Sequence, residues 1–181
     1  MKLILVGKQF YRQVKFRKLL LSKAQIDTIE AKKTLLKFYP RDRPAFHQKN
    51  ELDLKYDVMI IIPVHNVFVY LEKCIYSVLN QQTRYSFQAV FVDDGSTDDS
   101  GDILDKWITS PHVVIHTENH GLPAARNRGL QRITGRYVVF LDSDDYLAED
   151  AVEKLVSSAD RNHADIVEGG FADFDGKKLQ I

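Results

Sequence analysis

A continuous apolar run, Val58–Val64, constrains the fold of this chain more than any other segment. A strand that is apolar at every position and rich in β-branched residues is buried on both faces, which is typical of a parallel sheet covered by helices. Further strands are predicted at Phe87–Val92, Val113–His116, Tyr137–Leu141 and Ala164–Val167.

Helical segments separate these strands. One helix face is predicted from the apolar residues Leu71, Cys74, Ile75, Val78 and Leu79. Further helices are predicted at Ser100–Trp107, at Leu122–Arg132 with Pro123 in its first turn, and around Ala148–Ser158. This alternation predicts an α/β protein with a mostly parallel sheet and helices on both faces, in which ligands bind beyond the carboxyl ends of the strands.

Residues 1–56 differ from the rest of the chain in charge. They carry 14 Lys and Arg residues against 5 Asp and Glu, a net charge of +9, whereas residues 57–181 carry −9 and the whole chain is neutral. Residues 10–38 contain neither Gly nor Pro, which favours helix, and Pro40 and Pro44 then favour a linker. We therefore expect a basic, largely helical extension and linker over residues 1–56, followed by a folded domain over 57–181.

The basic extension has three interpretations. It can lie on an anionic membrane surface, where each Lys or Arg contributes about 1 kcal/mol, or pack on a neighbouring domain or subunit, or pack on its own domain. Aromatic and basic residues are not interleaved as in an RNA-binding module, so we expect no nucleic acid partner. No apolar run approaches the ~20 residues of a membrane span, and we expect a cytoplasmic protein with peripheral contact at the inner face of the membrane through residues 1–56.

Polar loops follow three of the predicted strands, at residues 63–66, 93–99 and 142–145. The ends of parallel strands meet at one edge of a sheet, where crowded carboxylates repel one another unless a cation compensates their charge. Oxygen ligands such as Asp142 and Asp144 suit Mg²⁺ or Mn²⁺. Each loop taken alone is also a good turn followed by a helix cap, so the metal interpretation depends on the loops occurring together.

Four motifs occur in order along the chain. They are Ile61–Asn66, Phe91–Ser100, Asn119–Leu130 and Gly135–Asp145. Together they closely resemble the family 2 glycosyltransferases, which have a GT-A (Rossmann-like) fold and use nucleotide-sugar donors. The resemblance covers about residues 57–170, and it implies that residues 57–181 form the nucleotide-sugar-binding half of a GT-A domain.

The resemblance implies a nucleotide pocket at the ends of the first two strands. Pro63, Val64 and Asn66 are expected against the base and the ribose. A carboxylate after the second strand, Asp93 or Asp94, is expected to accept a hydrogen bond from the base.

The resemblance also implies roles for residues nearer the diphosphate. Arg126 is expected at the base or the diphosphate, where a guanidinium suits phosphate geometry. Residues Asp142, Ser143 and Asp144 resemble the family's Asp-x-Asp motif in the donor site. Asp144 is expected to bind the metal directly, and Asp142, the second candidate ligand, is expected to face the ribose or the donor sugar. The metal, Mn²⁺ or Mg²⁺, would neutralise charge on the leaving diphosphate.

Two histidines are not assigned a catalytic role by these patterns. His65 occupies a position where the family usually has an aromatic residue such as Tyr, and His116 has no partner pattern in the sequence. Inverting members of the family use a carboxylate to deprotonate the acceptor hydroxyl. That residue lies well downstream of the Asp-x-Asp loop, so the catalytic base is unassigned and is expected beyond Ile181.

The resemblance thus implies metal-assisted, inverting transfer of a sugar from a UDP-sugar to a glycan or lipid-linked acceptor. An alternative stays open, a non-catalytic nucleotide-sugar-binding fragment or interaction module. A Mg²⁺-dependent phosphoryl-transfer protein is disfavoured, because it needs a nucleophilic Asp at the end of the first strand and residues 63–66 offer none.

Overall fold

The computed structural model describes residues 2–5, 54–170, 173–174 and 179–180. The strands are β1 (Lys2–Leu5), β2 (Tyr56–Val64), β3 (Phe87–Asp94), β4 (Val113–Thr117), β5 (Gly135–Phe140), β6 (Ile166–Glu168), β7 (Asp173–Phe174) and β8 (Leu179–Gln180). The helices are α1 (Phe68–Leu79), α2 (Ser100–Trp107), α3 (Leu122–Leu130) and α4 (Ala151–Arg161). Strands β1 to β6 form one parallel sheet in the order β4-β3-β2-β5-β1-β6, and β7 and β8 form a separate antiparallel pair.

Strand β2 is buried on both faces, as its apolar sequence predicts. Val58, Ile60 and Ile62 pack in a core with the apolar faces of α1, α2 and α4, while Met59 and Ile61 pack in a second core with α3. Helices therefore cover both faces of the sheet, and the predicted α/β fold is confirmed.

The predicted elements from residue 57 onward are confirmed with small shifts at their ends. Helix α2 has the predicted bounds, whereas α3 ends two residues early and α4 begins at Ala151 rather than Ala148. The backbone of residues 148 and 149 instead accepts hydrogen bonds from Gln81 and Gln82, at the end of α1. These contacts fix the segment beside the end of α1, and a turn closed by the N–H of Ala151 on the carbonyl of Ala148 precedes the helix.

Strand β1 was assigned by sequence to the basic extension, and here the structure differs. Lys2–Leu5 lies between β5 and β6 and pairs with both in parallel. A short apolar segment of this kind carries no helical or alternating period long enough to reveal its partner strands. Residues 6–53, which hold the rest of the predicted extension, lie outside the described residues. No helix in the described part of the chain is both long and apolar enough to cross a membrane.

The strand order reverses at β2, and this positions the candidate site. Strands β3 and β4 follow β2 on one side, whereas the chain then crosses through α3 to β5 on the other side. In open α/β sheets, the crevice beyond the carboxyl ends of the strands at such a reversal is where ligands bind. The predicted polar loops after β2, β3 and β5 all open on this edge of the sheet.

Candidate functional site

Asp94, the last residue of β3, uses both of its carboxylate oxygens within the protein. Oδ1 accepts a hydrogen bond from the backbone N–H of His120 at 2.9 Å, and Oδ2 accepts one from Gly121 at 2.8 Å. The following residue, Gly95, has a φ of +67°, and a Cβ there would lie 2.7 Å from the backbone nitrogen of Asn119. The buried Asp94 therefore fixes the start of α3 tightly against the end of β3.

Asp93 is also buried and is also hydrogen-bonded within the protein. Its Oδ1 accepts the backbone N–H of Ser96 at 3.0 Å, and its Oδ2 lies 2.8 Å from Nδ1 of His116. Burial alone would raise the pKa of Asp93, but the hydrogen bonds from Ser96 and His116 outweigh it and hold the pKa below its ordinary value of 3.8. Asp93 is therefore an anion at neutral pH.

Asn66 joins the loop after β2 to the turn after β3. It has a φ of +51°, a left-handed conformation that Asn tolerates better than most residues. Its Oδ1 accepts the backbone N–H groups of Thr97 at 2.7 Å and Asp98 at 3.3 Å, and its own N–H donates to Oγ of Ser96 at 3.2 Å. The amide oxygen of Asn66 is thus occupied by the protein, although the residue is exposed at the edge.

His65 connects three loops of the same edge. Its Nδ1 lies 2.9 Å from the backbone oxygen of Asp94, and its Nε2 lies 3.1 Å from Nδ2 of Asn119. A carbonyl only accepts and an amide NH₂ only donates, so these partners assign the proton to Nδ1 and the lone pair to Nε2. The imidazole acts here as a hydrogen-bonded link between loops.

Two residues predicted to contact the nucleotide are not presented to the crevice by their side chains. Pro63 and Val64 are the last two residues of β2, and both are buried. Val64 packs in the core shared with α1, because side chains alternate along the strand and this position faces that helix.

Arg126 reaches from α3 to the loop after β5. Its Nη2 donates to Oδ1 of Asp142 at 2.7 Å, and the two side chains are 24% and 28% exposed. The guanidinium carbon also lies 5.7 Å from the centre of the Phe140 ring. Within the described residues Nε of Arg126 is buried and has no hydrogen-bond partner, so one donor of the guanidinium is unsatisfied beside Asp142.

Asp144 differs from Asp93, Asp94 and Asp142, the edge carboxylates described above. It is exposed, and within the described part of the chain its carboxylate takes part in no hydrogen bond or ion pair. The backbone N–H of Asp145 donates to the carbonyl of Asp142 at 3.0 Å, closing a turn around the buried Ser143. This turn presents Asp144 to solvent two residues after Asp142.

The two carboxylates fit an ion such as Mn²⁺ or Mg²⁺. Among the described residues, no group of three or more His, Cys, Asp or Glu side chains is placed to hold a metal. Mg²⁺ sites commonly use only one or two protein carboxylates, with substrate phosphates completing the shell. Asp142 and Asp144 match that pattern.

The sole cysteine lies beneath this acidic loop. Burial is the largest cause, and the charges of Asp145, Asp144 and Asp142 act in the same direction; together they raise the pKa of the Cys74 thiol to about 12. The thiol is therefore neutral and unsuited to metal binding, since a thiolate is the ligand. The same effect shows that negative charge concentrates above the middle of α1.

Two residues that position the acidic loop were not identified from the sequence. Oγ of Ser77 accepts the backbone N–H of Leu147 at 3.1 Å, and Oε1 of Gln81 accepts that of Val152 at 2.9 Å. Nε2 of Gln81 also donates to the carbonyl of Ala148 at 2.7 Å. The available signal was two polar residues four positions apart, Ser77 in the last turn of the predicted helix and Gln81 just after its end.

His116 was also missed, because its partners become visible only with the strand pairing. It stands directly opposite Asp93 in the register of β3 and β4. Asp105 on α2 approaches its other ring nitrogen.

Comparison with known proteins adds a family to this geometry. Residues 59–181 match the model of the family described as glycosyl transferase family 2. Glycosyltransferase GlyA of Streptococcus pneumoniae serotype 4 is 42% identical over 65% of this chain and 17% of that protein. Minor teichoic acid biosynthesis protein GgaB of Bacillus subtilis is 36% identical over 65% of this chain and 14% of that protein. The chain spans about half or less of the length of the first curated relatives that it matches.

Solved structures give the same result for the fold. S. aureus TarS 1-349 in complex with UDP superposes with a TM-score of 0.55 at 30% identity, over 59% of this chain and 33% of that chain. Mannosyltransferase PcManGT from Pyrobaculum calidifontis, in complex with GDP-Man and Mn²⁺, gives a TM-score of 0.52 at 27% identity, over 57% and 32% of the two chains. The GT-A fold expected from the sequence is confirmed.

The role of Asp94 as a clamp can be tested by Asp94→Asn. The substitution replaces one acceptor oxygen with an NH₂ group that faces a backbone N–H, so a buried donor loses its partner. We expect the free energy of unfolding to fall by about 1–3 kcal/mol, measured by urea denaturation. The matched control is Asp99→Asn, because Asp99 is exposed and its side chain makes no capping hydrogen bond. Equal stability of the two variants would contradict the clamp.

Proposed function

We propose that this chain, which belongs to glycosyl transferase family 2, binds a UDP-linked sugar. It then takes part in metal-assisted transfer of that sugar to a glycan or lipid-linked acceptor. The observation that carries the proposal is the arrangement at the crevice between β2 and β5. There Arg126 and Asp142 form an ion pair, and Asp144, two residues further along the same loop, is exposed and has no hydrogen bond or ion pair among the described residues. A cation and a free carboxylate at a strand-order reversal suit a diphosphate and its counter-ion.

The nucleotide base is proposed to lie at the loops that end β2 and β3. Asp93 and Asp94 already accept hydrogen bonds from the protein, so they are proposed to act chiefly by fixing the shape of these loops. Asn66 and His65 are exposed at the same edge and are proposed to border the base and the ribose. Pro63 and Val64 contribute through the backbone at the end of β2. The solved complex of TarS with UDP supports uracil as the base.

Arg126 is proposed to bind the diphosphate. Its unsatisfied Nε–H is a donor without an acceptor among the described residues, and a phosphate oxygen accepts such a bond well. The ion pair with Asp142 keeps the guanidinium at the crevice before the donor arrives. Ser143, which is buried under the turn, is proposed to support this region through its backbone.

Asp144 and Asp142 are the residues proposed to hold Mn²⁺ or Mg²⁺. Asp144 has no competing partner in the described part of the chain, whereas Asp142 shares Oδ1 with Arg126 and offers Oδ2 to the ion or to a donor hydroxyl. When bound, the ion would supply Lewis-acid stabilisation of the diphosphate leaving group. The solved complex of PcManGT with GDP-Man and Mn²⁺ supports the use of a divalent metal together with a nucleotide-sugar donor.

The proposed transfer is an inverting displacement. The acceptor hydroxyl oxygen forms a bond to the anomeric carbon while the bond from that carbon to the diphosphate oxygen breaks. The electron pair of the broken bond leaves with UDP, and the hydroxyl proton passes to a general base. None of the described residues is assigned that role. The similarity to GgaB, named for minor teichoic acid biosynthesis, supports an acceptor of the cell envelope.

The metal assignment predicts how UDP binding responds to Mn²⁺. We expect Mn²⁺ to strengthen UDP binding to the chain by about tenfold or more, measured by isothermal titration calorimetry, because the ion takes oxygens from both partners. Asp144→Asn should abolish the strengthening while leaving the metal-free affinity nearly unchanged.

The control for this experiment is Glu72→Gln, since Glu72 is an exposed carboxylate on α1. A Mn²⁺ effect that persists in Asp144→Asn would refute the metal ligand. No UDP binding under any condition would refute the proposed donor. If the chain binds a UDP-sugar tightly but releases no UDP when glycan acceptors are added, the result would favour a binding module.

The diphosphate assignment predicts a selective effect of Arg126→Gln. Removing the guanidinium should weaken UDP binding by about tenfold, as expected for one charge-assisted contact, and should leave the weak binding of uridine unchanged. Arg128→Gln on the same helix is the matched control because Arg128 is exposed. Equal loss of UDP and uridine binding would instead indicate that Arg126 shapes the base pocket.

A further inference from the structure

We propose that His116 is a positioning residue for the donor nucleotide. It acts through Asp93, which it holds in the orientation that fixes the turn after β3 against Asn66. The inference rests on the proposed function, since it concerns the loops to which the base is assigned.

The imidazole of His116 lies between two carboxylates. Nδ1 is 2.8 Å from Oδ2 of Asp93, and Nε2 is 3.0 Å from Oδ1 of Asp105. Ionised carboxylates only accept hydrogen bonds, so both ring nitrogens donate and the ring is an imidazolium. The Asp93 side chain is 8% exposed, whereas those of His116 and Asp105 are 46% and 65% exposed.

Hydrogen bonds continue from Asp93 to the loop after β2. Oδ1 of Asp93 holds the backbone N–H of Ser96, and Oγ of Ser96 in turn accepts the backbone N–H of Asn66. The side-chain oxygen of Asn66 then accepts the N–H of Thr97, which closes the connection on the same turn. A continuous path therefore links the imidazolium to an exposed residue at the proposed base site.

Helix α2 packs closely over the buried end of this path. A Cβ on Gly101 would lie 3.2 Å from Oδ2 of Asp93 and 3.8 Å from Cε1 of His116. Glycine at this position lets the helix approach the pair without crowding the Asp93 carboxylate, whereas 3.8 Å to the imidazole is an ordinary contact distance. The geometry of the pair is therefore set by packing as well as by charge.

The charge of buried Asp93 depends on His116. In the described part of the chain, Asp93 forms its ion pair with His116, and the charged groups facing the ring are Asp93 from β3 and Asp105 from α2. Hydrogen bonds that the ring donates to Asp105 and then to Asp93 raise the pKa of His116 above its ordinary value of 6.5, against a smaller opposing effect of burial. Both neighbouring carboxylates therefore favour the protonated ring.

The direction of the pH dependence follows from this raised pKa. A group whose pKa is raised by folding stabilises the folded arrangement fully below its ordinary pKa, and the stabilisation is lost as pH rises through the raised pKa. Above that pH the bond from Nδ1 to Asp93 loses its charge assistance, and charge-assisted bonds are roughly twice as strong as neutral ones. We expect UDP affinity to fall over the same interval.

The experiment follows His116 and UDP binding in parallel on the full chain. The His116 Cε1–H resonance is titrated by NMR, and UDP affinity with Mn²⁺ is measured by calorimetry over the same pH range. His116→Gln should weaken UDP binding by about three- to tenfold at neutral pH, as for loss of a charge-assisted bond, and should remove the alkaline fall. Asp105→Asn should move both midpoints to lower pH while preserving the affinity at the acid end.

Asp102→Asn is the matched control, because Asp102 is an exposed carboxylate on the same helix as Asp105. It should shift neither midpoint. If His116→Gln fails to fold, the exposed Asp105 substitution still tests the inference. If either His116→Gln or Asp105→Asn binds UDP with the same affinity and pH profile as the wild-type chain, the inference is overturned and the proposed function stands. Wild-type chain that binds no UDP at all would overturn both, through the proposed function.

Discussion

The site depends on the burial of β2 between two neighbouring strands and two layers of helices. Residues 58–64 pair with β3 on one side, and residues 56–61 pair with β5 on the other, while the side chains fill both cores. Full burial of a Val, Ile or Met side chain contributes about 1.5–3 kcal/mol, so a run of such residues holds this strand firmly at the centre of the sheet. The reversal of strand order on either side of it then places a crevice at its carboxyl end.

The carboxylates at that edge are compensated in different ways. Asp94 accepts two backbone N–H groups, Asp93 pairs with a backbone N–H and His116, and Asp142 pairs with Arg126. Asp144 is left exposed with no such partner within the described residues. The carboxylates of Asp93, Asp94 and Asp142 therefore stabilise the loops of this edge, whereas that of Asp144 is available to bind a cation.

Much of this arrangement was predictable from the sequence, because burial on both faces leaves a strong local pattern. The run Val58–Val64 and the apolar face of α1 are each recognisable from local sequence, without knowing which elements pack against them. The sequence also predicted Arg126, Asp142 and Asp144 in one site, and the structure pairs Arg126 with Asp142.

The individual roles of edge residues were less predictable, because their partners are distant in sequence. Asp94 meets Gly121 across 27 positions, and Asp93 meets His116 across 23. A local pattern shows a turn and a helix cap at residues 93–99, but it does not show that two of its carboxylates are already committed to neighbouring loops. For the same reason, β1 carries no signal of its insertion between β5 and β6.

The most direct test of the account is paramagnetic broadening by Mn²⁺ in amide NMR spectra of the full chain with saturating UDP. The account predicts that traces of Mn²⁺ broaden the amide resonances of residues 142–145 and of Arg126 first, and that this broadening needs UDP and the Asp144 carboxylate. Broadening centred on another part of the described sheet, or unchanged by UDP, would contradict a donor site at the crevice between β2 and β5.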